Sequence, residues 1–177
     1  MSEPDVYEWT VRIVMDRNAL GGSFGTVVFL LSPEEAKRDT AESLISAKPS
    51  EWSESPHYVG RVAALPTSMQ STGESGEQPQ MMQGFVHLDT ALRRNLGKTD
   101  IESVVPYLKE ALFWKVNQPD KKGIKAEDEE LDLDELPSFE VAVMSAKLKK
   151  QTGLFPEYES PVIHREITAG KKGGIKK

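Results

Sequence analysis

The sequence predicts a mainly β domain, an antiparallel sandwich or open barrel with one or two short helices between strands. Three observations predict it. Residues 7–15, YEWTVRIVM, alternate over nine positions, with Tyr7, Trp9, Val11, Ile13 and Met15 on one side and Glu8, Thr10 and Arg12 on the other. Residues 27–31, VVFLL, form a short apolar run of the kind buried on both faces of a sheet. Residues 139–148, FEVAVMSAKL, alternate again as another long strand. At 177 residues the chain has the length of one domain, 1–177, with no internal repeat.

The elements follow in order. A first strand covers 7–15, Asn18 to Gly22 reads as a turn, and a second strand covers Ser23 to Leu31. A hairpin is the simplest way to join these two strands. Ser32 and Pro33 suit the N-cap and first position of a short helix over Glu34–Arg38. Residues 39–57 are irregular, with Trp52 the one large apolar anchor, and Tyr58–Leu65 is a third strand. Gly84–Leu88 is a short strand. Asp89 or Thr90 then caps a brief helix, Ala91–Leu96, that Gly97 ends. Asp100 caps a second helix, Ile101–Leu112, which Pro106 is expected to bend or to confine to its first turns. Phe113–Val116 resumes as strand, and Val162–Ile167 reads as a last strand.

Two stretches read as mobile loops, 66–83 and 117–137, and 170–177 reads as a basic tail. The net charge of −6 comes from one place. Residues 127–135 carry seven acids and no base, and without them 21 acidic residues face 22 basic ones. The body therefore carries no strong field of either sign, which speaks against nucleic-acid binding. The longest apolar run falls well short of the roughly 20 residues that span a bilayer, and the N-terminus has no signal-peptide pattern. A cytoplasmic protein without membrane association is the expectation. With no cysteine, the chain has no disulfide framework, no thiol nucleophile and no Cys-ligated metal.

The recognisable motifs carry little chemistry. His57, His87 and His164 have no helical metal-pair spacing. Gly21-Gly22-Ser23-Phe24-Gly25 lacks the lysine and the following helix of a phosphate loop, so a hairpin turn is the favoured reading. The acidic run lacks the ligand order of a calcium loop and reads as a solvated segment, with Leu131, Leu133 and Leu136 as docking candidates. Ser23 and Ser145 show no His–Asp setting, and Asp89, Asp100, Glu102 and Glu166 are isolated carboxylates.

The order of the short motifs says more. Tyr7-Glu8-Trp9 opens the series, followed by Ala19 to Phe24, Tyr58-Val59-Gly60, Gly84-Phe85-Val86-His87-Leu88 and Val104-Val105-Pro106-Tyr107-Leu108. Leu112-Phe113-Trp114-Lys115-Val116, Leu136 to Val141 and Ile167-Thr168-Ala169-Gly170-Lys171 complete it. This series resembles the C-terminal domain of fungal tyrosinases (polyphenol oxidases) over about residues 6–174. The resemblance implies a β-rich lid. In those enzymes it covers a type-3 dicopper site held by a separate histidine-rich domain, keeps the enzyme latent until proteolysis, and is thought to aid folding or copper loading. It also implies a placeholder side chain entering the site mouth, for which Leu65 is the best match; an ordinary core residue at a strand end is the competing reading.

The chain departs from that pattern in two ways. Its three histidines cannot supply the six ligands of a dicopper pair, and it lacks the Cys-x-x-Cys of some relatives. Met69, Met81 and Met82 stand near that place as weak Cu(I) candidates, with a copper carrier as the reading they would support. No cofactor of its own is expected. The first functional reading is a non-catalytic domain that covers or matures a tyrosinase-like catalytic chain linked to melanin or secondary metabolism. The alternative is a stand-alone sandwich that binds a small aromatic or hydrophobic ligand and acts as a cofactor-independent cyclase or isomerase. Tyr7, Trp9, Trp52, Tyr58, Phe85, His87, Tyr107 and Trp114 would supply its walls, unless these aromatics are core.

Overall fold

The computed structural model describes residues 5–65, 79–118, 129–149 and 153–176. Among the described residues, eight strands form two antiparallel sheets, as the patterning predicts. The strands are β1 (Tyr7–Asp16), β2 (Phe24–Leu30), β3 (Tyr58–Ala64), β4 (Met81–His87), β5 (Leu112–Gln118), β6 (Glu129–Leu131), β7 (Glu140–Lys147) and β8 (Val162–Ile163). One sheet runs β4-β1-β7-β8 and the other β3-β2-β5-β6.

The expected hairpin between the first two strands does not form. β1 pairs with β4 and β7, and β2 pairs with β3 and β5, so residues 17–23 cross from one sheet to the other. The glycine-rich stretch is therefore an inter-sheet turn. Gly21 takes a φ of 61°, which a glycine adopts without steric cost. Hydrophobic patterning specifies which face of a strand is buried, whereas its neighbours depend on partners far away in the chain.

The burial patterns explain the layers. Trp9, Val11, Ile13 and Met15 of β1 face the interior between the sheets. β2 is buried at all seven positions. Val28 and Leu30 enter the main core, while Val27 and Phe29 point outward into a second cluster with Ile45 and Trp52. The irregular stretch supplies that second layer through two short 3₁₀ turns, Ala41–Leu44 and Pro49–Glu54. Trp52 meets Phe29 edge-on at 5.9 Å, and its indole N–H donates to the Ser46 carbonyl at 2.8 Å.

The helices close the interior. α1 (Pro33–Ala36) starts with a capping box between Ser32 and Glu35. α2 (Asp89–Asn95) follows directly on β4, and Gly97 ends it with a φ of 68°. Neither Asp89 nor Thr90 caps it; the N-cap position falls on Leu88, and the Asp89 carboxylate instead accepts the Trp9 backbone N–H at 3.1 Å. α3 (Ile101–Ala111) is capped by Asp100, which accepts the Ser103 N–H at 2.8 Å. It buries Val104, Tyr107, Leu108 and Ala111, one stripe of a 3.6-residue period. Pro106 does not confine this helix, which continues for five residues beyond it. Pro106 and Glu102 both lie on the exposed face, so the carbonyl that Pro106 leaves unpaired can turn to water. The Tyr107 hydroxyl donates to the Leu31 carbonyl and accepts from Asn95 Nδ2 at 3.1 Å.

The C-terminal region departs most from expectation. The last strand ends at Ile163, and α4 (Arg165–Thr168) follows, burying Ile167 and Thr168. Packing against α3 and β7 overrides the β-branched preference of those two residues. The basic segment read as a tail folds back on the body: Gly174 bridges to Val141 and Ile175 is buried. Of the two stretches read as loops, 66–78 and 119–128 lie outside the described residues. Met81–Gln83 belong to β4, Asn117 and Gln118 to β5, and 129–131 to β6.

The two sheets meet along one seam, where β3 passes β4. A Cβ on Gly84 would stand 2.2 Å from Val62 Cγ1, and one on Gly60 would stand 2.7 Å from Val86 Cγ1. These two glycines let the edge strands approach closely.

Candidate functional site

Leu65 immediately follows β3 and is 60% exposed, so the reading of it as a core residue at a strand end is corrected. The glycine contacts pair Val62 with Gly84 and Gly60 with Val86, so β3 and β4 run in opposite directions along the seam. That places Leu65 at the Met81 end. Met81 is 53% exposed, and Phe85, two residues on from Gln83 and on the same outward face of β4, is 51% exposed. Phe85 stands opposite Arg12, and His87 opposite Thr10, whose hydroxyl lies 3.3 Å from His87 Nδ1. Phe85, Met81 and Leu65 are each more than half exposed. The β3–β4 seam thus presents an apolar margin on a closely packed base.

A concave feature lies at the opposite edge of the β3-β2-β5-β6 sheet. It is a cleft of about 740 Å³ lined by residues that include Phe113, Trp114, Leu131, Leu133 and Lys171. Lys171 Nζ donates to the Leu112 carbonyl at 3.0 Å and lies 5.6 Å and 5.8 Å from the ring centroids of Phe113 and Trp114. Burial pushes its ammonium down to about 8.

The aromatic residues expected to wall one pocket do not converge. Trp9 and Tyr107 are buried in the main core, and Trp52 is buried in the second cluster. Tyr7 packs against the first cluster and Tyr58 against the second. Phe85 and His87 face outward from β4. Trp114 is the member of the set that borders the cleft, and its indole N–H is held by the Lys172 carbonyl at 3.0 Å. The sequence pattern identified large apolar side chains; it carried no information on which of them shared a space.

The metal candidates fare similarly. Met69 lies outside the described residues. Met81 and Met82 are successive strand residues and point to opposite faces, Met82 against the core, so they do not form a joint thioether site. Among the described residues, no three His, Cys, Asp or Glu side chains stand together as a metal-binding group. Also among them, no helix is long and apolar enough to cross a membrane.

One pairing was invisible in the sequence. Ser145 Oγ lies 2.7 Å from His164 Nε2, while His164 Nδ1 lies 3.8 Å from Glu166. The order of groups resembles a nucleophile–base–carboxylate set, but Ser145 and His164 are both buried and neither lines the cleft. The Trp9 ring lies 4.9 Å from the His164 ring. Burial holds the His164 imidazole below its ordinary range, with Glu166 opposing that shift. The pair is a satisfied core hydrogen bond joining β7 to the residue after β8.

Comparison with known proteins settles the family. The model of the tyrosinase C-terminal domain matches residues 8–143. The chain belongs to this family. A tyrosinase of Neurospora crassa is 25% identical over 94% of the chain, which spans 23% of that enzyme. A recombinant mushroom tyrosinase superposes with a TM-score of 0.57 at 20% identity, over 90% of this chain and 25% of the other. A second mushroom tyrosinase structure, in which latent and active forms coexist, matches to the same degree. The chain thus spans about a quarter of the length of these relatives and corresponds to a non-catalytic domain of tyrosinases. The sandwich is the part they share, and the tyrosinase C-terminal assignment leaves the cyclase or isomerase reading without support.

Proposed function

We propose that this tyrosinase C-terminal domain covers the active-site mouth of a type-3 copper catalytic chain, with Leu65 as the side chain that enters it. The observation that carries this reading is the exposed Leu65 at the end of β3 in a chain of this family. An exposed aliphatic side chain beside a closely packed seam is suited to fill an apolar mouth, because burying a leucine contributes about 1.5–3 kcal/mol. It contributes no charge or metal ligand. It therefore occludes by volume alone, without the ring stacking or hydroxyl of a phenol. The copper and its chemistry belong to the partner. Met81 and Phe85 on the same margin extend the contact, and the cover works as an inhibitory lid whose removal releases activity.

The test compares wild type with Leu65→Asp for affinity to a tyrosinase catalytic domain stripped of its own C-terminal domain. Wild type is expected to bind, and Leu65→Asp to bind about tenfold or more weakly. Thermal stability is expected to stay within about 0.5 kcal/mol, since the site is exposed. Equal affinity of the two proteins would remove Leu65 from the mouth, and the absence of binding by wild type would remove the lid.

A further inference from the structure

We infer that Lys171 Nζ is a reactive amine that captures small aromatic aldehydes and ketones entering the cleft between β5, β6 and the C-terminal segment. This inference rests on the cleft and is independent of the lid reading, since β3 and β6 form opposite edges of the sheet.

The cleft's volume, about 740 Å³, lies in the range of small-molecule sites. Most of its other ions are matched to each other. Lys115 holds Glu130 at 3.0 Å, and Lys172 holds Asp132 at 3.3 Å. Glu42 is exposed at the border. Among the described residues, no carboxylate stands within ion-pair distance of Lys171, whose neighbours are two aromatic rings and the Leu112 carbonyl. A lysine desolvated against apolar walls without a counter-ion is the setting that yields nucleophilic amines.

Burial lowers the Lys171 ammonium to about 8. At neutral pH roughly a tenth of such amines carry a free lone pair, about two- to three-hundredfold more than an ordinary lysine. Phe113 is partly buried and borders the cleft beside the amine, so an aryl group stacked on its ring brings its carbonyl carbon near Nζ. The lone pair on Nζ forms the new C–N bond, and the carbonyl oxygen gains the two amine protons in sequence. That oxygen leaves as water, giving a C=N bond with no oxidant or reductant required.

The experiment treats the whole chain at pH 7 with benzaldehyde and cyanoborohydride, which fixes the imine as a benzylamine, and maps the label by peptide mass. Lys171 is expected to label at least about tenfold faster than the exposed Lys37 and Lys98. Labelling of Lys171 at or below their rate overturns the inference. Propanal in place of benzaldehyde tests the aryl preference. Lys171 is expected to favour benzaldehyde about fivefold more than Lys37 does, in line with roughly 1 kcal/mol of ring contact. Equal ratios at the two lysines overturn the assignment of an aromatic ligand. In Lys171→Arg, the fast phase is expected to vanish; its persistence at another lysine also overturns the inference.

Discussion

Replacing Trp9 with alanine is expected to lower the unfolding free energy by about 3–5 kcal/mol. Trp9 is fully buried near the start of β1 and touches three parts of the fold. Its indole N–H donates to the Thr99 carbonyl at 2.8 Å, which ties the strand to the segment before α3. Its backbone N–H donates to Asp89 at 3.1 Å, and its carbonyl accepts from Leu88 at 2.8 Å, which tie the strand to the start of α2. Its ring lies against His164 beyond β8. Truncation removes one of the largest side chains of the core, opens a cavity, and leaves the Thr99 carbonyl without its donor. Trp9→Phe separates these effects. It keeps a ring and loses the donor, with an expected cost of about 1–2 kcal/mol plus a smaller cavity contribution. Urea unfolding at constant m value measures both. A loss below about 1 kcal/mol for Trp9→Ala would show that Trp9 does not organise the core in this way.

The second large effect is expected at the seam. Gly84→Ala places a methyl group 2.2 Å from Val62 Cγ1, far inside van der Waals contact. Val62 is buried and β-branched, so its χ1 has little freedom to yield. Such overpacking costs about 1–3 kcal/mol. The partner substitution reports on the contact itself. Val62→Ala alone costs by leaving space, but in the double variant the new methyl occupies that space. The Gly84→Ala/Val62→Ala pair is therefore expected to be at least about 1 kcal/mol more stable than the sum of the single losses implies. Additive losses would mean that β3 and β4 do not touch at this point.

These two sites also mark how far the sequence could be read. Alternation from Tyr7 to Met15 gave β1 its buried face, and the unbroken run from Val27 to Leu31 indicated a strand covered on both sides. Both are local signals with a period of two. Ser32 and Asp100 were legible as caps because a capping side chain acts within three residues of itself. Pairing was not legible. β1 meets β4 and β7, dozens of residues away, and the short link to β2 favoured a hairpin that long-range packing overrides.

The cover over β2 was hidden for the same reason. Trp52 was visible as an anchor, but nothing local showed that Phe29 is what it anchors to. Leu65 could be placed at a strand end, whereas its exposure depended on where β4 passed. Lys171 lay in a recognised motif and still looked like one of several tail lysines. Only the folding of 170–176 against β5 sets its amine beside Phe113 and Trp114. Ser145 and His164 are nineteen residues apart and become neighbours through the pairing of β7 with β8.

This domain is proposed to close a tyrosinase active site. The most direct measurement is the catechol-oxidising activity of a catalytic domain lacking its own C-terminal domain, titrated with the isolated chain. Activity is expected to fall to a small fraction in a saturable manner and to return when a protease digests the added chain. Full activity at saturating, demonstrably bound chain would contradict the account.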